Sequence, residues 1–344
     1  MSFVQIILYP FSLLYGMMMS LRNGLFDANI KKVESVDAKV ISIGNLSVGG
    51  TGKTPHVEFF AEKFYQEFKV AILLRGYGRK TKGFFLVNEN STFLEVGDEA
   101  LTYYRKFNDS VVVAVCEKRV DGAKNILKLF PDVQLIILDD ALQHRYIHRD
   151  INVVLTEYNN PYFKDFILPA GRLREFKLGI KRADICIVTK TIDDINSSDY
   201  QSFKDKIHLN DERIFFSKIE YGQLIDMKLN EVVKIPENIL LLTGIANPTP
   251  LYNYLSKSSK VIHKQFKDHH EFTAEDLVKI HKIIDTFVGD IKIVTTEKDA
   301  MRILNSDLND VINEYPWCYQ EMKINIREEN KLLDYVYGVI KNDE

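Results

Sequence analysis

The chain has 344 residues, 46% of them hydrophobic and 27% charged, so its composition is that of a globular protein with room for one large or two ordinary domains. The formal net charge of -3 at pH 7 gives no reason to expect a nucleic acid as a partner. The three cysteines have neither metal-site nor disulfide-framework spacing, which favours a reducing, cytosol-facing location.

The first 21 residues contain no charged side chain, and large apolar residues recur among them at helical intervals. The segment lacks the basic region and the small-residue cleavage site of a secretory signal. Pro10 and several small or polar residues interrupt the apolar run, which disfavours a spanning helix. Two interpretations are favoured, a helix that packs on the core of the following domain and a helix that lies in a membrane surface, with a membrane-spanning helix as the third alternative.

A glycine-rich loop lies between a predicted apolar strand over 39–43 and a predicted helix over 55–68. In such loops the backbone N–H groups surround phosphate oxygens, the lysine reaches the β- and γ-phosphates, and the hydroxyl after it binds Mg²⁺. The usual pattern has glycine where this chain has Ser47, and we expect Gly49 and Gly50 to supply the lost freedom. The predicted nucleoside triphosphate site comprises Ser47, Val48, Gly49, Gly50, Thr51, Gly52, Lys53 and Thr54.

Short apolar strands alternate with helical segments up to about residue 188. This pattern predicts an α/β fold of the P-loop NTPase type, with a mostly parallel sheet and helices on both faces. After about residue 215 a hairpin-like stretch precedes a second α/β stretch. We predict an N-terminal apolar helix (1–30), a P-loop core domain (31–218), and a hairpin-like linker with a smaller C-terminal α/β domain (219–344).

Three groups of titratable residues are candidates for chemistry. Asp139 and Asp140 end an apolar strand, where this class of protein places a magnesium-holding carboxylate, and the sequence does not decide between them. The pair at 98–99 is by itself typical of a helix N-terminus. The adjacent histidines of the segment 268–270 have no zinc-like spacing, but a histidine can orient a nearby carboxylate.

The order of the motifs resembles that of the tetraacyldisaccharide 4′-kinase family, the lipid A 4′-kinases of Gram-negative envelopes. The resemblance covers roughly residues 40 to 300. The family pattern has Asp-Asp-Gly where this chain has Ala141, a change that requires only that the backbone there accept a Cβ. The motifs are Gly44-Asn-Leu-Ser-Val-Gly-Gly-Thr-Gly-Lys-Thr-Pro55, Arg75-Gly-Tyr-Gly78, Gly97-Asp-Glu99, Asp139-Asp-Ala-Leu-Gln-His144, Leu168-Pro-Ala-Gly171, Asp268-His-His270 and Thr296-Glu-Lys-Asp299.

The resemblance implies an ATP- and Mg²⁺-dependent lipid kinase of lipid A biosynthesis. Its members move the γ-phosphate of ATP to the 4′-hydroxyl of a tetraacyldisaccharide 1-phosphate, in a cleft between a phosphate-loop core and a smaller domain. They work at the cytoplasmic face of the bacterial inner membrane, so the resemblance favours the membrane-surface interpretation of the N-terminal helix. No obligatory protein partner is evident.

The resemblance also implies roles for individual residues. Asp98 would be the base that acts on the sugar hydroxyl, oriented by a histidine of the 268–270 motif, which we expect to be His269. Glu99 would help to hold Mg²⁺ together with Thr54 and one aspartate of the pair at 139–140, and Lys53 would clamp the phosphates. The candidates for substrate contacts, chosen because bidentate arginine suits a phosphate, are Arg75, Arg79, Arg172 and Arg174, with His144 and Glu175 beside them.

The alternative from another class is a P-loop nucleotide switch or an assembly ATPase or GTPase. A guanine-reading Asn-Lys-x-Asp motif would favour it. The nearest segment, Thr189-Lys-Thr-Ile192, lacks both the Asn and the Asp, although Asp193 follows one position later.

Overall fold

The computed structural model describes residues 3–193, 195–268, 270–304 and 308–341. Thirteen strands within these ranges form one sheet. In chain order the strands are β1 (Lys39–Asn45), β2 (Val70–Leu74), β3 (Phe85–Leu86), β4 (Val112–Val115), β5 (Leu135–Asp139), β6 (Ile151–Glu157), β7 (Ile185–Thr189), β8 (Ile214–Asp226), β9 (Val232–Val233), β10 (Asn238–Thr243), β11 (Lys260–Gln265), β12 (Lys292–Thr296) and β13 (Trp317–Arg327).

Helices pack on the sheet, and the first and last elements of the described chain are helices. The helices of the described residues are α1 (Phe3–Asp27), α2 (Lys53–Phe64), α3 (Phe93–Val96), α4 (Asp98–Phe107), α5 (Arg119–Leu129), α6 (Ser197–Ile207), α7 (Thr249–Leu255), α8 (Ala274–Thr286), α9 (Glu297–Leu304), α10 (Asn309–Ile312) and α11 (Glu329–Lys341).

The sheet is mostly parallel. Its strand order is β11-β10-β12-β13-β8-β7-β6-β1-β5-β2-β4-β3, with β9 paired to β8, and only the pairs β13–β8, β3–β4 and β8–β9 are antiparallel in the described chain. Neighbouring residues of β1 point to opposite faces: Ile41 packs in the same cluster as Val57 of α2, whereas Val40 packs in the same cluster as Ala123 of α5. The predicted α/β fold with helices on both faces is confirmed.

Strand order decides where the site can lie. β1 pairs in parallel with β5 and β6, and β5 pairs in parallel with β2. The carboxyl ends of these strands therefore meet at one edge of the sheet, which is where ligands bind in open α/β sheets. The loops that follow β1, β2 and β5 begin at residues 46, 75 and 140, so the phosphate loop, Arg75 and Asp140 share that edge.

The second half of the chain continues the sheet through the long antiparallel pair of β8 and β13. The expected hairpin is present, with Leu224 of β8 opposite Val233 of β9. The final helix α11 returns to the first half, because Leu332 and Val336 join the core cluster of α2. The predicted boundary after residue 218 lies inside β8, and the division of the chain into domains stays a prediction.

Helix α1 has one docked face and one exposed face. Ser12, Gly16 and Phe26 are its buried residues. A Cβ on Gly16 would lie 2.4 Å from Cζ of Phe176, so the helix backbone approaches the core closely there. The large apolar residues on the other face are exposed: Phe3, Val4, Ile6, Ile7, Tyr9, Phe11, Leu13, Leu14, Met17, Met18 and Leu21. By length and composition α1 could cross a membrane. One face of α1 therefore packs on the core, but most of its large apolar residues are exposed, which packing on the core does not explain.

Candidate functional site

The phosphate loop is held by contacts from two strand ends. Gly49 and Gly52 have φ angles of 109° and 88°, which a residue with a Cβ rarely adopts. The amide of Asn45 donates to the Thr51 hydroxyl at 2.8 Å, and the Thr189 hydroxyl donates to the Thr51 carbonyl at 2.9 Å. The loop therefore has a fixed shape before any phosphate binds.

A buried histidine fixes the end of the loop. His56 Nδ1 lies 2.6 Å from the Gly52 carbonyl, and its Nε2 lies 3.0 Å from the Ser217 hydroxyl. A carbonyl only accepts, so Nδ1 carries the proton and Nε2 accepts from Ser217. Burial lowers the pKa of His56 to about 4, which keeps the ring neutral at physiological pH.

A cleft of about 750 Å³ opens beside the loop, at the carboxyl edge of the sheet. It contains many of the residues predicted from the sequence, and the structure brings these together from five segments of the chain. Those that line it are Val48, Gly49, Lys53, Arg75, Glu99, Asp139, Asp140, His144 and Arg174. The remaining predicted loop residues, among them Ser47 and Thr54, shape the loop without lining this cleft.

Asp140 is the anion that neutralises the cations of the cleft. Both guanidinium nitrogens of Arg174 donate to its carboxylate, at 2.8 and 3.0 Å, and Lys53 Nζ lies 3.8 Å from Oδ2. Burial opposes the charge, but Lys53 and Arg174 together hold the pKa of Asp140 below its ordinary value. Asp140 is therefore ionised and occupied on both oxygens.

Asp139 has the opposite surroundings. Tyr103 donates its hydroxyl proton to Oδ2 at 3.0 Å, while Oδ1 is buried and takes no hydrogen bond from the described residues. Burial, together with the neighbouring Asp140, raises the pKa of Asp139. Glu99 is close enough to repel it, and burial with that repulsion raises the pKa of Glu99 to about 7. Among the described residues neither carboxylate forms a close ion pair, although the charge of Lys53 acts on both.

The donor set fits a magnesium ion better than a transition metal. No group of three or more His, Cys, Asp or Glu side chains in the described ranges could hold a metal. Mg²⁺ does not need one, because it keeps several waters and takes one or two carboxylates plus substrate phosphates. The orphaned oxygen of Asp139 and the raised pKa of Glu99 mark the place where a dication would compensate negative charge.

Asp98 lies at the first residue of α4 and is joined to the second half of the chain. Arg302 of α9 donates to Asp98 Oδ2 at 2.9 Å and, through its other terminal nitrogen, to Asp299 Oδ1 at 3.0 Å. Asp299 is fully buried and accepts the Gly244 N–H at 2.8 Å. Arg302 is thus a clamp between Asp98 and a rigid anchor, and Lys298 Nζ lies 3.8 Å from the same Asp98 oxygen.

His144 and Arg119 form the opposite wall. The backbone N–H of Arg119 donates to His144 Nε2 at 3.2 Å, and its guanidinium donates to the carbonyls of Cys116 and Asp139. Burial and the charge of Arg119 lower the pKa of His144 to about 4, so the ring is neutral. Because Nε2 accepts from the Arg119 N–H, the single ring proton is on Nδ1. Sequence reasoning missed Arg119, and its position just after β4, next to the other strand ends, was the available signal.

The other expected substrate residues lie elsewhere. Arg79 is paired with Glu117 at 2.6 Å, and Arg172 with Asp165 at 2.8 Å, and neither lines the cleft. Glu175 is buried and accepts two bonds from Arg182 at 2.7 Å, besides bonds from Gln143 and Asn23. The structure therefore places Glu175 as a support beneath the cleft.

The histidine pair is only partly described. His269 lies outside the described residues. His270 Nε2 is 2.9 Å from Asp276, the residue that also accepts from Thr273 at the start of α8. The ring of His270 is thus engaged at a helix N-terminus.

A glycine-rich loop between a central parallel strand and a helix, facing carboxylates at the ends of neighbouring strands, defines a P-loop nucleotide-binding protein. The family model for tetraacyldisaccharide-1-P 4′-kinase, LpxK, matches residues 4–341. The chain belongs to this family, as the motif order in the sequence implied.

Individual relatives agree with that assignment. The tetraacyldisaccharide 4′-kinase of Cytophaga hutchinsonii is 40% identical over 343 residues, covering 97% of this chain and 95% of the relative. That of Flavobacterium johnsoniae is 41% identical over 312 residues, covering 90% of each. A crystal structure of LpxK from Aquifex aeolicus in complex with ATP has a TM-score of 0.77 and 28% identity, and covers 98% of this chain and 99% of that chain.

The neutral state of His56 makes stability depend on pH. The unfolded histidine binds a proton near its ordinary pKa of 6.5 and the folded one only near 4. The unfolded chain therefore holds more protons between these values, and stability falls as the pH falls from 6.5 to 4. Urea unfolding at pH 7.5 and pH 5 should show that wild type loses about 2 kcal/mol more than His56→Asn. Asn retains a donor for the Gly52 carbonyl.

The matched control is His148→Asn, since His148 is exposed. It should follow the wild-type pH dependence. An equal slope in His56→Asn and wild type would show that this ring does not set the acid limit.

Proposed function

We propose that this protein transfers the γ-phosphate of ATP to the 4′-hydroxyl of a tetraacyldisaccharide 1-phosphate, a step in lipid A biosynthesis. Membership of the 4′-kinase family supports the reaction, and the ATP complex of the related Aquifex aeolicus protein supports the nucleotide. The observation that carries the proposal is one cleft that joins a phosphate loop to carboxylates. The alternative of a guanine-reading switch lacks support: Lys190 is engaged by Glu157, and Asp193 by Lys218.

On nucleotide binding, Lys53 would move its interaction from Asp140 to the phosphates. Lys53 and Arg174 both interact with the Asp140 carboxylate. A triphosphate in the loop would offer Lys53 a more concentrated negative charge. Arg174 can neutralise Asp140 alone, because its guanidinium makes two parallel bonds to it. Lys53 is then available to stabilise the charge that develops on the transferred group.

Mg²⁺ would be held by Asp139 and Glu99, with the Thr54 hydroxyl, rather than by Asp140. Asp139 has an oxygen without a partner, whereas both oxygens of Asp140 are occupied. When bound, the ion would supply positive charge that offsets the negative charge of the transferred phosphate. Tyr103 would keep Asp139 in a single orientation through its hydrogen bond.

Asp98 would accept the proton of the sugar hydroxyl. Phosphoryl transfer depends mainly on positioning, so the clamp on Asp98 matters as much as its basicity. Arg302 and Asp299 would hold Asp98 at the N-terminal end of α4, next to Glu99. His269 stays the expected orienting histidine.

The lipid would reach this cleft along α1. Tyr15 and Met19 of that helix line the active-site cleft, and the Tyr15 hydroxyl donates to the Arg174 carbonyl at 3.0 Å. The exposed apolar face of α1 would lie in the cytoplasmic surface of the inner membrane, so that acyl chains stay near lipid while the sugar enters. Arg75 lines the cleft and is the best placed cation for the substrate's phosphate.

A direct assay tests the reaction. Purified protein with ATP, Mg²⁺ and the acylated disaccharide 1-phosphate in detergent micelles should give a bisphosphorylated lipid, detected by mass spectrometry. Asp98→Asn should lower kcat by about 10²–10⁴-fold, because the hydroxyl proton loses its acceptor, while ATP still binds. The control Asp109→Asn, in the turn that follows the C-terminal end of α4, should keep normal turnover. Failure of wild type to phosphorylate the lipid would overturn the function, and near-normal turnover of Asp98→Asn would overturn only its role.

The clamp on Asp98 gives a second test. Arg302→Met should lower kcat by about 10–100-fold with little change in the KM for ATP, because the base loses its fixed position. Arg302→Lys should restore part of kcat, since a cation again reaches Asp98. Thermal unfolding of both variants separates this effect from misfolding, and Arg213→Met, an exposed arginine, is the control. If Arg302→Met is folded and fully active, the clamp has no catalytic role.

The two faces of α1 allow anchoring to be tested without disturbing the docked side. Leu14→Glu, Met18→Glu and Leu21→Glu, combined, place charge on residues that are 58–69% exposed. Binding to phospholipid vesicles should fall at least about 100-fold, because each apolar side chain contributes roughly 1.5–3 kcal/mol when buried. Turnover of micellar substrate should remain within about twofold of wild type.

The control for this experiment changes exposed apolar residues elsewhere, Leu229→Glu, Val232→Glu and Val288→Glu. It should bind vesicles like wild type. Equal vesicle binding by the α1 variant would show that this face does not contact the membrane.

A further inference from the structure

A second cleft, of about 880 Å³, lies apart from the active site and shares no lining residue with it. Its floor is apolar: Tyr162 and Ile180 are each 3% exposed, and Leu178 stands at the rim with 70% of its surface exposed. An exposed leucine beside an apolar hollow is costly in water. The apolar floor is therefore suited to the apolar part of a ligand.

The rim of this cleft is cationic. Four exposed lysines surround it against a single carboxylate, Asp205. Lys177 donates to the Phe163 carbonyl at 2.6 Å, and Lys206 donates to the Ser202 hydroxyl at 2.9 Å and lies over the Phe163 ring. Within the described chain none of the four forms an ion pair with a carboxylate. The lysines are Lys164, Lys177, Lys181 and Lys206. An excess of lysine charge around an apolar floor favours a ligand that is both anionic and amphiphilic.

The segment that walls this cleft is also the segment on which α1 docks. The rings of Phe166 and Tyr9 lie 6.3 Å apart, edge to face, and Phe176 packs directly on Gly16. Residues 177–181, which follow at once, supply three positions of the cleft's rim and one of its floor. The cleft is thus walled by residues that directly follow the contacts on which α1 docks.

We propose that this cleft binds an anionic phospholipid of the bilayer, with the phosphate among the lysines and the start of an acyl chain on the apolar floor. This inference rests on the proposed function, in which α1 lies in a membrane surface. A bilayer in contact with α1 presents phosphate groups and acyl chains together, which neither a free phosphate nor an acidic protein does. The lipid fixes the orientation of the enzyme on the membrane and is distinct from the substrate.

Vesicle binding of the full-length protein tests the proposal. Wild type should bind vesicles of phosphatidylcholine with 30% phosphatidylglycerol at least about tenfold more tightly than phosphatidylcholine alone. The variant with Lys164→Gln, Lys177→Gln, Lys181→Gln and Lys206→Gln should lose that preference. The control carries the same change of charge on exposed lysines of the C-terminal half, Lys257→Gln, Lys264→Gln, Lys279→Gln and Lys282→Gln, and should keep it.

A soluble lipid separates a built site from general attraction. Dihexanoyl phosphatidylglycerol below its micellar concentration should bind wild type in calorimetry and fail to bind the cleft variant. Inorganic phosphate should bind neither. Equal loss of vesicle binding in the two lysine variants, equal binding of wild type to both vesicle types, or equal binding of phosphate and the soluble lipid would each overturn the proposal.

Kinase turnover keeps the two hypotheses apart. The cleft variant should phosphorylate micellar substrate at the wild-type rate, since the cleft shares no residue with the active site. A wild type that binds anionic vesicles but never phosphorylates the disaccharide would refute the proposed function alone. A fully active wild type that shows no preference for anionic vesicles would refute only the lipid cleft.

Discussion

Buried carboxylates at the edge of the sheet require cations, and this requirement organises the site. Asp140 is neutralised by Arg174, which follows it by 34 residues, and Asp98 by Arg302, which follows it by 204. A buried charge without a partner would destabilise the fold by several kcal/mol, so these pairs tie the phosphate loop, the substrate loops and the second half of the chain into one arrangement. Asp139 differs from both, because its Oδ1 is buried and takes no hydrogen bond from the described residues.

Polar contacts along one face explain how α1 can be both docked and exposed. Its docked face makes polar contacts: Ser12 accepts the Ala170 N–H at 2.9 Å, and Asn23 donates to Glu175 at 2.8 Å. Arg22 donates to the Gln143 carbonyl at 2.7 Å, next to His144 of the active site. Attachment by hydrogen bonds leaves the apolar residues free for another surface, which a helix packed on a core would not do.

Local sequence was sufficient for the parts of the site that are built from local structure. A strand, a glycine-rich loop and a helix are contiguous, so the loop from Ser47 to Thr54 and the strand that ends at Asp139 could be predicted. The two arginines of one motif show the limit. Arg75 lines the cleft, while Arg79 turns away after Gly76, whose φ is 73°, and pairs with Glu117. Four residues of sequence spacing do not specify that difference.

Residues that depend on distant contacts could not be found in this way. Arg302 looks like an ordinary basic residue in the last turn of α9, and Tyr15 like one aromatic residue in an apolar run. Their roles arise only when β8 and β13 pair and when α1 folds back on the core. Glu175 shows the reverse case: a charged residue beside predicted substrate arginines is buried against Arg182 and supports the cleft from below.

The segment 162–182 connects these observations. Leu168 and Arg174 line the active-site cleft, Phe176 contacts α1, and Ile180 forms the floor of the lysine-rimmed cleft. Arg182 at its end holds Glu175, which in turn accepts from Gln143 beside His144. One stretch of chain therefore borders helix α1, the lysine-rimmed cleft and the cleft beside the phosphate loop. Tyr15 joins α1 to this stretch, because its hydroxyl donates to the Arg174 carbonyl, and the Arg174 side chain pairs with Asp140, the carboxylate that also lies near Lys53.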